Sequence, residues 1–102
     1  MITVDLDQEL KNIDGSPMVN SKQDPSPAKL RQVVVQSLLS DADAPDGDKK
    51  LRRFALARAI MQADKEEFSQ DELDDIKFLV AKIHPSLICG QCLEMLGGFT
   101  HA

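Results

Sequence analysis

Apolar and polar positions alternate at the start of the chain and then change period. Ile2, Val4 and Leu6 fall on one side and Thr3, Asp5 and Asp7 on the other, the period of a half-buried strand. Asp14-Gly15 supplies a turn signal. Ile13 before it and Met18-Val19 after it can close a short β-hairpin, although Pro17 removes one backbone donor. An isolated hairpin is marginal in water, so residues 1–25 are expected to lie, as a hairpin or an extended segment, against the rest of the fold. The polar stretch 20–26 ends in Asp24-Pro25-Ser26-Pro27 and reads as a linker.

Helical spacing takes over beyond it. Ser26 is the expected cap of a first helix, with Pro27 at its opening position, and Leu30, Val33, Val34 and Leu38 form its buried stripe. The β-branched run Val33-Val34-Val35 lowers helix propensity, so a strand is the competing assignment. An acidic loop, 40–47, separates this element from a second helix, for which Asp48 is the expected cap. That helix shows a wide apolar arc of Leu51, Phe54, Ala55, Leu56, Ala59, Ile60 and Ala63, with Arg52, Arg53 and Arg58 among them.

The third helix has the most specific start in the chain. Ser69-Gln70-Asp71-Glu72 is a capping box, flanked by Phe68 and Leu73 as a hydrophobic staple. Leu73, Ile76, Val80 and Ile83 then repeat on one face, while Asp74, Asp75, Lys77 and Lys82 are expected in water. Pro85 stops this helix near His84 and can open a fourth, with Leu87, Ile88, Cys92, Met95 and Leu96 as its apolar positions. Gly97-Gly98 ends it. The short connection makes the last two helices neighbours. The expected fold is mainly α: a compact four-helix domain over 26–97 with a short N-terminal β-hairpin and a tail at 98–102.

At 102 residues, 42% of them hydrophobic and 28% charged, the chain has the length and apolar content of one globular domain. No apolar run approaches the roughly 20 residues that cross a bilayer, and the first ten residues are acidic rather than basic, which predicts a cytosolic protein without a membrane partner. A net charge of −5 disfavours a large phosphate-binding surface and so argues against a nucleic-acid partner.

Several chemistries can be tested on spacing. Cys89-Gly90-Gln91-Cys92 is a C-x-x-C, with His84 and His101 as further ligands for a tetrahedral zinc site; one helix face also explains the spacing, with small cysteines filling helix contacts. The acidic loop fails as a calcium loop, because counting from Asp41 the fifth position is Pro45 and the twelfth is Arg52. Asp71, Glu72, Asp74 and Asp75 crowd the start of one helix, where negative charge favours the helix dipole. No nucleophile-and-base pattern or phosphate loop is present, so no enzyme activity and no cofactor are expected. A long loop with separated charges is the expected partner-binding surface: Asp41, Asp43, Asp46, Lys49, Lys50 and Arg53.

The Asp14-Gly15 turn, Lys50-x-x-Arg53-Phe54-x-Leu56-Ala57-x-x-Ile60, Phe68-Ser69-x-Asp71-Glu72 and Ile83-x-Pro85-x-x-x-x-Gly90-Gln91 together resemble small helical proteins encoded in tailed-phage and prophage genomes. The resemblance covers most of the chain. It implies a compact accessory or assembly protein in the host bacterial cytoplasm, or associated with the virion, that binds a phage structural protein, a host protein or itself. It carries no catalytic positions. Small aliphatic residues tend to precede Gly-Gln in that pattern, where this chain has Ile88-Cys89, which favours cysteine as a packing residue. The alternatives are an acidic inhibitor of a host protein and a metal-stabilised regulator using Cys89 and Cys92.

Overall fold

Leu30, Val33, Val34 and Leu38 are all buried on one face of a helix, α1 Leu30–Leu38, so the β-branched run is helical. Packing of that face outweighs the propensity cost. The computed structural model describes residues 1–20, 23 and 25–97. Among them are three further helices, α2 Gly47–Gln62, α3 Gln70–Ile83 and α4 Ser86–Met95, and two short strands, β1 Ile2–Thr3 and β2 Glu67–Phe68. The expected tail, with Gly98 and His101, lies outside the described residues.

The helix starts are set by different means. α1 opens at Lys29 rather than Ser26, because single β-bridges join Val19 to Pro27 and Glu9 to Lys29 and keep the intervening chain extended. The Lys29 side chain does not cap it, and the Gln32 carboxamide accepts from the Lys29 N–H at 3.2 Å. The Leu30 N–H donates to the Gln8 carbonyl and the Arg31 N–H to the Leu6 carbonyl, each at 2.9 Å, so the N-terminal segment satisfies donors that a helix start leaves open. α2 is capped by Asp46, whose carboxylate accepts from the Lys49 N–H at 2.8 Å; Asp48 lies inside the first turn. α3 has the expected box, Glu72 N–H donating to Ser69 Oγ and Ser69 N–H donating to Glu72 Oε1. His84 is extended, as a residue before proline should be, and Pro85 caps α4. Gly97, at φ +95°, terminates that helix.

The N-terminal segment is tied to the rest of the fold at several points. β1 pairs antiparallel with β2, Ile2 opposite Phe68 and Thr3 opposite Glu67, and the alternation continues to bury Val4 and Leu6. The Asp14-Gly15 turn is present, closed by the Lys11–Pro17 bridge and an Asn12 N–H to Ser16 carbonyl bond of 2.8 Å. Gln91 on α4 grips the same segment. Its carboxamide accepts from the Lys11 N–H and donates to the Lys11 carbonyl, both at 2.7 Å, as a neighbouring strand would.

α1 lies at the centre, touching α2, α3 and α4, and α4 packs on α3. Leu6, Leu10, Leu30, Phe68, Leu73, Ile76 and Cys92 are among the side chains enclosed between them. Two expectations about faces are corrected. Of the wide arc on α2 only Ile60 is fully buried, joined by Ala57 and Arg53, while Leu51, Phe54 and Met61 lie in water. Lys77 is 4% exposed rather than solvated, because its position one turn from Leu73 and Val80 puts it on the core side of α3. Among the described residues no fully buried side-chain nitrogen or oxygen lacks a hydrogen-bond partner, so the Lys77 stem is covered while its amine reaches solvent. No helix is long and apolar enough to cross a membrane.

Candidate functional site

The six residues expected at a charged surface are split by the fold. Arg53 is only 3% exposed. Its guanidinium donates to Asp43 at 2.7 and 2.9 Å and to Asp75 at 2.9 and 2.8 Å, so two forked pairs join the 40–47 loop, α2 and α3 at one point. The Arg53 guanidinium, by hydrogen bonding before any other influence, holds the Asp43 carboxyl down at about 2. Arg53 is therefore enclosed with Asp43 bound to it, which corrects the expectation that Arg53 faces a partner, while Asp46 caps α2 and stays exposed. Asp41, Lys49 and Lys50 remain on the surface, with a loose Lys50–Asp41 contact of 4.0 Å.

Next to this clamp, α2 leaves large apolar side chains outside. Leu51, Phe54 and Met61 are 67%, 50% and 53% exposed, and Leu39, just past the end of α1, is 52% exposed. Val35, Leu39, Phe54 and Met61 line a shallow groove of about 190 Å³, and the Arg58 guanidinium lies 5.2 Å from the centre of the Phe54 ring. On its other side α2 borders a larger open groove of about 540 Å³, with Lys49, Arg52 and Lys65 among the lining residues contributed by α2 and its C-terminal flank, and Asp71, Glu72 and Asp75 from α3. Charges of both signs line that groove, so it selects no ion of one sign.

The remaining candidates are engaged in packing. Cys92 is buried, and burial, with a smaller contribution from Cys89, pushes its thiol up to about 11; both cysteines are unpaired. His84 contacts Ser37 rather than the cysteines, Nε2 lying 3.2 Å from Oγ. The Ser37 hydroxyl donates to the Val33 carbonyl at 2.7 Å, so the imidazole N–H is the donor of the pair. Asp5, Asp7 and Glu66 bring carboxylates close together, the one such group of three possible ligands among the described residues. Arg31 fills their neighbourhood, at 3.4 Å from both Asp7 and Glu66, and donates to the Ile60 carbonyl at 2.7 Å.

No protein-family model, no curated protein and no solved structure matches this chain. Sequence reasoning placed Leu51 and Phe54 in the core, did not single out Met61, and missed all three as a surface. The signal that finds them is a second period: Arg53, Ala57 and Ile60 already form a complete inward stripe at i, i+4 and i+7, which turns Leu51, Phe54 and Met61 away.

Proposed function

We propose that the protein is a non-enzymatic protein-binding module whose contact face is the outer side of α2 with the end of α1, rimmed by Asp41 and Lys50. The observation that carries this reading is the group of four half-exposed large side chains, Leu39, Leu51, Phe54 and Met61. A chain this small has little apolar surface to spare, and contiguous exposed apolar patches mark interaction sites. Enclosure of Arg53 leaves Lys49, Lys50 and Arg52 as the accessible basic cluster here, which favours a protein over a polyphosphate partner. The resemblance of the motifs to phage-encoded proteins supports an accessory or assembly role in an infected bacterium.

The test is a photo-crosslinking residue placed at Phe54, compared with one at Ala81 on the exposed side of α3. Protein adducts at position 54 and none at position 81, with the adduct identified by mass, are the expected result. Equal labelling at the two positions, or none at 54, would refute this face.

A further inference from the structure

Leu51, Phe54, Arg58 and Met61 recur along α2 at spacings of three and four residues, the a and d repeat of a coiled-coil seam. The seam is distinct from the inward stripe of Arg53, Ala57 and Ile60, and all four of its residues are exposed. It spans about 15 Å of helix at 1.5 Å per residue. We propose that the protein self-associates as a two-fold dimer through antiparallel α2 helices. This inference rests on the reading of that face as a binding surface and names its occupant: a second copy of the chain.

Charge and area both favour that occupant. On the seam side, Lys50 flanks the start of α2, whereas Asp64 follows its C-terminal end. An antiparallel pair lays Lys50 of each helix beside Asp64 of the other, twice over by symmetry; a parallel pair sets like on like. The charges at the two ends are available. Lys50 contacts Asp41 only at 4.0 Å, and Asp64, with 86% of its side chain exposed, contacts Arg31 only at 3.7 Å. With the axis between Phe54 and Arg58, Leu51 meets Met61 of the second copy. Phe54 meets Arg58 of the second copy, and an arginine already lies against that ring within the chain.

Half-exposed Leu39, Leu51, Phe54 and Met61 offer roughly 100 Å² each, or about 400 Å² per copy, which lies within the range of a functional patch. Two copies supply about 800 Å² of apolar surface, and the flanking Lys50, Arg58 and Gln62 carry the total past the roughly 1,000 Å² that a specific interface needs.

The experiment is sedimentation equilibrium of the full chain up to about 500 μM, far enough to detect a weak pair. Twice the chain mass is expected for the wild type. Phe54→Glu should give the single-chain mass with an unchanged helical circular dichroism spectrum, and Leu51→Glu repeats the test should the first variant misfold. Lys50→Glu and Asp64→Lys should each weaken association about tenfold at low salt, and together restore it. A monomeric wild type, a dimer indifferent to both glutamate variants, or a charge exchange without restoration overturns the proposal. A monomer whose position 54 crosslinks a different protein removes self-pairing and leaves the binding face standing, whereas no adduct of any kind removes both.

Discussion

Replacing Arg53 by alanine should be the most damaging single change on α2. The guanidinium makes four hydrogen bonds of 2.7 to 2.9 Å to two carboxylates, and its removal leaves Asp43 and Asp75 facing each other across the space it filled. Breaking a buried pair from one side costs about 3–5 kcal/mol. The side chains of Asp43 and Asp75 are 13% and 33% exposed, so water can reach both, which sets the expected cost near the lower end, about 3 kcal/mol. For a chain of this length that is a fall of roughly 15 °C in melting temperature. Thermal melts followed by circular dichroism measure it, with Arg53→Lys expected to recover less than half of the loss, because an ammonium cannot fork onto two carboxylates. The pH dependence gives a second check. The Asp43 pKa is depressed in the folded state from 3.8 to about 2, so its contribution is complete above about pH 4 and is lost as pH falls through 2. The gap between wild type and Arg53→Ala should narrow over that window. A loss under about 0.5 kcal/mol at pH 7, or a gap that stays constant down to pH 2, would refute the clamp.

Three further changes test the frame around it. Ser69→Ala removes the acceptor of the Glu72 N–H and should lower stability by about 1 kcal/mol, read as a shift of the urea midpoint; an unchanged midpoint excludes capping. His84 has its pKa lowered by burial, so the folded state favours the neutral ring, and stability should be complete above the unfolded value of 6.5 and decline as pH falls below it. His84→Gln should flatten that decline between pH 7 and 5, and an equal slope in both proteins would exclude His84 as its source. Gln91→Ala should cost about 1 kcal/mol and speed hydrogen exchange at the Lys11 amide while sparing the centre of α3; unchanged exchange at Lys11 would show that the carboxamide does not hold the N-terminal segment.

What could be read from the sequence was local in origin. The capping box of α3, the break at Pro85 and the stop at Gly97 depend on residues within four or five positions of one another, and all three are present. The start of α1 depends on Gln8 and Leu6, whose carbonyls take the first helical N–H groups, and nothing near Ser26 reveals that. The partner of β1 is likewise remote, at Glu67–Phe68. Arg53 was misplaced because a basic residue after an acidic loop reads as part of a solvated helix start, and its second carboxylate, Asp75, lies on another helix. Lys77 was misplaced by its charge, although its spacing from Leu73 and Val80 marks the buried face. In both cases the period of the helix was the better guide than the type of residue.

The clamp and the exposed stripe belong to one arrangement. Removing a charged guanidinium from water is unfavourable unless its donors are met, and the two carboxylates meet them at one rotation of α2. That rotation puts Arg53, Ala57 and Ile60 inward and so turns Leu51, Phe54 and Met61 outward. A purely apolar stripe would tolerate other rotations, because apolar contacts are not directional and the helix has apolar residues on both faces. The forked pairs are directional, and a turn of one residue, about 100°, would break all four bonds. Arg53 therefore acts on the proposed binding face without touching a partner: it fixes which side of α2 that face is on. Arg53→Met, which keeps the buried volume but loses the direction, should consequently retain more stability than Arg53→Ala while losing as much binding at position 54.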